Sequence, residues 1–388
     1  MTQPADENKK YWDFIEHFQE RISKECPSGK AGLEALREIR ATLEPHWVIH
    51  QRVQHPLRTK FMVADELTYR WFCRYACKLE QLRNVPGTES VLARLGVASE
   101  YLNAWSELDF GLRLHLEELS CEFVTPNAKP APDLKCDMNG VRVDIEITSL
   151  NEREEDKIAL EVLDDIITIL PFQHHCVAGG FISWVPTKAE LKKVRKKATE
   201  AIKEASENQR KIEAVEPGLL AYHVAPESQA HLLPRELIGR FAIDSRSPIP
   251  KKDRLVQKIE DKTRRQLFSS KSSVLVVYDR LGSGEEIKQL SDNHDIRVKI
   301  GTFPNLACVV LVYPSSRFEP VETQKTEKSG IIQIEHSRPD RETERCIVWK
   351  SPREEHDAIV ESIVSALAEF PANLSILFEN RLPHLAQE

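Results

Sequence analysis

No uninterrupted apolar run in the sequence approaches the ~20 residues needed to span a bilayer. The opening, MTQPADENKK, lacks the apolar core of a signal peptide. A soluble, intracellular (cytoplasmic) protein with no membrane partner is therefore expected. C-x2-C pairs are missing too: the eight cysteines (26, 73, 77, 121, 136, 176, 308 and 346) are scattered, which argues against a structural zinc site. Cys73 and Cys77 lie one helical turn apart in ELTYRWFCRYACKLEQL, a segment apolar at helical spacing, so they read as buried core thiols, reduced in a cytosolic compartment. There is no internal repeat or low-complexity tract, and a composition near the globular average argues against disorder throughout. Leu281-Gly282-Ser283-Gly284 lacks the lysine and spacing of a P-loop and reads as a turn.

What is present is ordinary in bulk. The chain has 388 residues, 41% hydrophobic, 7% aromatic and 30% charged, enough for two structural units or one core with large insertions. The net charge of -7 hides an uneven distribution. Residues 1–187 carry 21 Lys+Arg against 30 Asp+Glu, residues 188–265 carry 19 against 12, and residues 266–388 carry 14 against 19. A basic middle in an acidic chain permits a local phosphate-binding surface.

Periodicity and breakers predict helices over about 9–24, 30–43, 64–83, 88–95 and 97–119, then short strands at 121–124 and on either side of Asn139-Gly140. A helix over about 154–169, a strand in GGFISWVP, a charged helix over about 187–213 and a strand in GLLAYHV follow. After a Pro-containing linker, a helix over about 253–267 leads into the apolar run VLVVYD; LACVVLVY is a second such run. A hairpin (about 330–336 and 344–350) and a helix near 353–369 end the chain.

The most informative stretch is PAPDLKCDMNGVRVDIEITSL. Asn-Gly between alternating runs signals a two-residue type I′ hairpin, whose facing residues have numbers summing to 279. One face is then apolar: Met138 with Val141, Cys136 with Val143, Leu134 with Ile145. The other pairs Asp137 with Arg142, Lys135 with Asp144, and Asp133 with Glu146. Two carboxylates in direct opposition, with Cβ atoms ~5 Å apart, destabilise a hairpin unless a divalent cation sits between them. The alternative is a solvated face with both carboxylates in water.

Pro132-Asp133 opening one strand, Asp144-Ile145-Glu146-Ile147-Thr148 on the next, and a preceding helix bearing Ser106-Glu107-Leu108 resemble the PD-(D/E)XK, or restriction-endonuclease-like, nuclease superfamily. The resemblance covers about 100–150 closely and extends more loosely to about 313. It implies that Asp133, Glu146, the Ile147 carbonyl and Glu107 bind Mg2+, with Mn2+ as a substitute; an all-oxygen ligand set also favours Mg2+ over Zn2+. The chain departs from the pattern at Thr148, where the superfamily has a lysine that orients the attacking water and stabilises charge on the phosphate.

The expected replacement is Lys262. Lys258, Lys262 and Gln266 recur every four residues and so share one helix face. The competing account is a solvated basic face; Lys135 is a second candidate, with Asp144 as its structural partner. Lys192, Lys193 and Lys196 could follow a phosphate backbone, although glutamates at 190, 200, 204 and 207 also fit an exposed, salt-bridged helix. Arg246, Lys251, Lys252, Arg254, Arg264 and Arg265 add a second basic cluster. His174-His175-Cys176 point alternately on a strand and do not converge on a metal.

The expected architecture is α/β: a restriction-endonuclease-like core, with a mixed central sheet flanked by helices, over residues 96–317. An α/β insertion occupies about 172–245, a helical region 1–95, and a C-terminal hairpin and helix 318–388. The strand after the motif is taken as VLVVYD; were it GGFISWVP, the crossover helix would be 154–169. The expected function is metal-dependent hydrolysis of phosphodiesters in DNA or RNA, with Asp133, Glu146, Glu107 and Lys262 catalytic. The alternative is an inactive nuclease fold that binds nucleic acid or protein, favoured by Thr148 and net acidity.

Overall fold

Asn139 and Gly140 have φ of 54° and 78°. These are the two left-handed positions of a type I′ turn, so the turn chemistry sets the register of the hairpin it closes. Strand β2 (Leu134–Met138) pairs antiparallel with β3 (Val141–Ser149), Leu134 opposite Ile145 and Met138 opposite Val141. In this structure, a computed structural model, the described residues are 4–47, 55–125, 131–150, 176–182, 196–197, 200–201, 203–205, 207–216, 220–226, 229, 241–243, 251–279, 294–314, 323–337 and 343–381.

The chain divides into two units. The first holds residues 1–51, 55–150 and 251–388, the second 52–54 and 151–250. In the first, β1 (Ser120–Phe123), β2, β3, β8 (Ser273–Tyr278), β9 (Leu306–Pro314), β10 (Gln324–Lys328), β11 (Ile331–Ser337) and β12 (Thr343–Lys350) form an eight-stranded mixed sheet. Its order is β1-β2-β3-β8-β9-β12-β11-β10. The β3–β8 and β8–β9 pairings are parallel and the rest antiparallel.

Helices cover both sheet faces. Val143, Ile145, Ile147, Val274, Val276, Val310 and Val312 share one core with α1 (Pro4–Ser23), α2 (Gly29–Leu43), α4 (Glu66–Leu82), α5 (Thr88–Leu95), α6 (Tyr101–Leu116) and α9 (Asp357–Arg381). Leu275, Val277, Val309 and Leu311 belong to a second core with α7 (Lys251–Arg265) and α8 (His294–Gly301). A short α3 (Leu57–Phe61) lies between α2 and α4. The C-terminal hairpin, β11 and β12, thus extends the central sheet beyond β9, and the N-terminal helices and the C-terminal helix pack on it. Their apolar stripes have no second sheet among the described residues of this unit to cover.

Local signals explain individual elements. The Asp65 carboxylate caps α4 by accepting from Thr68 N at 2.7 Å. Gly87, at φ 80°, starts α5; a Cβ there would lie 1.9 Å from the Phe123 carbonyl oxygen. The C-terminal helix runs to residue 381, past the expected end near 369 and through Pro371, because Phe370, Leu374 and Phe378 continue its buried stripe. Glu354–Phe378 is, among the described residues, the one helical stretch long and apolar enough to cross a membrane, and half of its apolar 18-residue window is buried within the fold.

Arg113, 0% exposed, crosses this core as an ion-pair hub. It donates to Asp109 Oδ2 at 2.8 Å and lies 2.7 Å from Glu344 Oε1, with its guanidinium 4.2 Å from the Phe370 ring centre. Tyr278 donates to the same Asp109 oxygen at 3.0 Å, and His336 Nε2 lies 3.4 Å from Glu344. The hub ties α6 to β8, β12 and α9.

The second unit carries a four-stranded sheet, β5 (Ile212–Glu216), β6 (Leu220–Pro226), β4 (Cys176–Ile182) and β7 (Phe241–Ile243), in that order. GGFISWVP therefore contributes to this sheet, and VLVVYD is the parallel neighbour of β3, with α7 leading into it. The unit spans 151–250, wider than the expected insertion of about 172–245. The helix expected over about 154–169, the His174-His175 pair and the Leu281–Gly284 turn lie outside the described residues.

Candidate active site

On β3, residues 144, 146 and 148 point to one side, and the parallel register sets Glu146 against Leu275 and Thr148 against Val277, on the α7 side. The antiparallel partner ends early: β2 begins at Leu134, opposite Ile145. Among the described residues only Asp133 continues on that side, its N–H donating to the Ile145 carbonyl at 3.0 Å. The end of β3 is thus flanked by β8 on one side and by Asp133 on the other. Asp133, opposite Glu146, is tied to β3 by Ile147 N–H, which donates to Asp133 Oδ2 at 2.7 Å.

The helix α7 supplies the amines. Lys262 Nζ lies 2.7 Å from Glu146 Oε1, and Lys258 Nζ donates to Thr148 Oγ1 at 3.4 Å. Four residues make ~6 Å of rise on a helix, and two residues of strand make nearly the same, so consecutive lysines meet consecutive same-face positions of β3. Past the helix end, Ser270 donates to Asp144 Oδ2 at 2.6 Å, which pins the same run at a third point. Lys135 stands opposite Asp144 in the strand register, as expected, but the Asp144 carboxylate takes its hydrogen bond from Ser270. Gln266 sits in the turn after α7, its N–H donating to the Lys262 carbonyl at 2.9 Å.

Glu107 reaches the cluster from α6. It is 3% exposed, and both its oxygens accept from Arg94, at the last turn of α5; the Nη1–Oε1 bond is 2.8 Å. Arg94 carries no local sign of its role: it is separated from Glu107 by a helix break, and only the packing of α5 on α6 joins them. Lys196, in the second unit, is exposed and 3.8 Å from Glu200, as in the salt-bridged-helix account. Lys192 and Lys193 lie outside the described residues.

Burial dominates the electrostatics. It pushes the Glu146 carboxyl up to about 7, against the lowering pull of Lys262 and with a further rise from Glu107. Asp133 is likewise raised well above the usual carboxylate range, by burial and then by Glu146 and Glu107. Three carboxylates are thus crowded together and met by three cations, Lys262, Lys258 and Arg94. In this cluster two polar atoms remain buried without a hydrogen-bond partner among the described residues: Glu146 Oε2 and Arg94 Nε.

Among the described residues no group of three or more histidine, cysteine, aspartate or glutamate side chains is arranged to hold a metal ion. Glu107 is held by Arg94, which leaves Asp133 and Glu146 as the pair of carboxylates that lie opposite one another and raise each other's charge cost. Mg2+ commonly binds through one or two carboxylates and keeps several waters, so this pair, with a buried unpartnered oxygen, fits such an ion. Comparisons of the chain with protein-family models, with curated proteins and with solved structures return no match.

Proposed function

We propose that the protein is a divalent-metal-dependent nuclease that hydrolyses phosphodiester bonds in DNA or RNA, on a restriction-endonuclease-like core. The observation that carries this reading is Glu146: 1% exposed, one oxygen on Lys262 and the other without a partner among the described residues. An unpaired buried acceptor costs ~1–3 kcal/mol, more if charged, and a cation beside it removes that cost. The sequence of α6, hairpin β2–β3, helix α7 and parallel strand β8 supports the fold assignment.

Asp133, Glu146 and the Ile147 carbonyl would hold Mg2+ or Mn2+, and Glu107 would join them only on leaving Arg94. Such an ion, when bound, lowers the pKa of a coordinated water and polarises a phosphoryl oxygen. The protein's own groups do the remainder. Ile147 N–H orients the Asp133 carboxylate, and Lys262 and Lys258 bring to the end of β3 the positive charge that Thr148 lacks. Their ammonium groups offset charge on the phosphate as the water oxygen bonds to phosphorus and the opposite P–O ester bond breaks. Hydrolysis thereby adds hydroxyl to phosphorus and hydrogen to the leaving ester oxygen.

A second reading, an inactive nuclease fold that binds nucleic acid or protein, is favoured by the near balance of carboxylates and cations in the cluster. The two separate in one experiment: cleavage of single- and double-stranded DNA and RNA with Mg2+, Mn2+ or EDTA, by wild type and Glu146→Ala. The nuclease reading expects metal-dependent cleavage, stopped by EDTA and lost in the variant while its circular dichroism is retained. Unchanged cleavage by Glu146→Ala sinks it.

A further inference from the structure

Arg94 belongs to none of the residues that the superfamily pattern supplies, yet it is built into the same cluster. Two of its nitrogens are bonded to Glu107, and the third, Nε, is buried without a hydrogen-bond partner among the described residues. The charge on Asp133 is also felt by Arg94, and that on Glu107 by both Asp133 and Glu146, so the four groups form one electrostatic cluster around the end of β3. The site therefore holds an unpaired donor, Arg94 Nε, and an unpaired acceptor, Glu146 Oε2, that do not satisfy each other. A ligand carrying only negative charge answers the first, and a cation alone answers the second. A phosphodiester that arrives with a divalent cation answers both.

Resting on the nuclease reading, we infer that Arg94 is a phosphodiester-binding residue of this site, and that Arg94 and Lys262 shift from carboxylate to phosphate oxygens as substrate enters. A guanidinium suits the second partner as well as the first, because its planar fork matches phosphate and carboxylate alike. The consequence is cooperativity. In the free protein an ammonium lies 2.7 Å from Glu146, where a metal ion must compete with it. A phosphate that draws the ammonium away frees the carboxylate, and by linkage the metal strengthens phosphodiester binding by the same factor.

The test is equilibrium binding with no turnover. Mn2+ is titrated by electron paramagnetic resonance with and without a short oligonucleotide. Oligonucleotide affinity is read by fluorescence anisotropy in Ca2+, using single- and double-stranded DNA and RNA. Wild type should bind Mn2+ about tenfold more tightly once oligonucleotide is present, within the usual range of coupling between sites. Arg94→Gln should weaken oligonucleotide binding about tenfold, as for loss of a hydrogen bond from a charged group. Since that variant leaves Glu107 buried without its partner, Arg94→Gln/Glu107→Gln is made alongside and should show the same loss. Lys262→Met should bind Mn2+ more tightly than wild type when no oligonucleotide is present. Wild-type oligonucleotide affinity in the double variant, or Mn2+ affinity indifferent to oligonucleotide, overturns the inference and leaves the nuclease reading standing. A wild-type protein that binds neither probe overturns both.

Discussion

Replacing Glu146 by glutamine should stabilise the protein in alkaline solution while it destroys the site. The carboxyl titrates at about 7 in the fold, against 4.5 ordinarily, because burial outweighs the attraction of Lys262. Below about 4.5 the group is protonated in folded and unfolded chains alike and costs nothing. Between 4.5 and about 7 only the unfolded chain ionises freely, so stability falls as pH rises; above about 7 the whole cost is present. Raising a carboxyl from 4.5 to about 7 amounts to about 3 kcal/mol at pH 8. The amide of the Glu146→Gln variant would be neutral throughout, could still accept from Lys262, and would relieve the repulsion on Asp133.

The expected result is therefore a gain of about 3 kcal/mol for Glu146→Gln at pH 8 that disappears at pH 4.5. Urea denaturation in EDTA, followed by tryptophan fluorescence, reads it. Five of the six tryptophans (12, 47, 71, 105 and 349) lie in the unit that holds the site. A variant less stable than wild type at pH 8, or one shifted equally at both pH values, refutes the argument that burial and not pairing governs Glu146.

The acid side belongs to His55, whose Nε2 lies 2.7 Å from the Leu95 carbonyl and whose Nδ1 accepts from Leu57 N–H at 3.1 Å, so the ring is neutral. Burial lowers it to about 4, and stability complete above 6.5 should be lost as pH falls through that window, by about 3 kcal/mol; His55→Gln should flatten this limb in urea titrations. Arg113→Leu strands Asp109 and Glu344 in the core and should cost about 3–5 kcal/mol by denaturation, whereas a loss under about 1 kcal/mol would show that the hub contributes little. Gly87→Ala places a methyl group against the Phe123 carbonyl at positive φ, so it should lower the melting temperature and, by shifting α5, carry Arg94 away from Glu107. A crystal structure of that variant with the Arg94–Glu107 pair intact would contradict the second half.

The hairpin can be read from sequence because one dipeptide dictates its turn and a period of two then assigns every side chain to a face; Asp133 and Glu146 follow directly. The lysines follow from the period of α7, since residues four apart share a face whatever that face meets. Arg94 has no such signal, because its partner lies on another helix beyond a break and their meeting is a matter of tertiary packing. Sheet order is legible only in part. Apolar runs such as GGFISWVP and VLVVYD both announce buried strands, but parallel neighbours are joined by long crossovers with no short-range mark. β10 escapes a sequence reading because QKTEK is exposed on both faces and has no alternation to detect. Thr148 reads as a defect in a motif, and in the fold it accepts a hydrogen bond from a lysine that comes from elsewhere.

The crossing from β3 to α7 also imposes an order in time. β2 and β3 need close only a two-residue turn, so their pairing is local and quick. It brings Asp133 and Glu146 together while nothing yet compensates them. Lys262 is 116 residues away in sequence, beyond an entire second unit, and closing that loop is entropically costly and slow. The carboxylates must therefore wait, ionised and solvated, until α7 docks and shuts them in. A contact made so late contributes little to the folding barrier and much to the unfolding one, so the Lys262–Glu146 pair governs how long the finished site lasts more than how fast it forms.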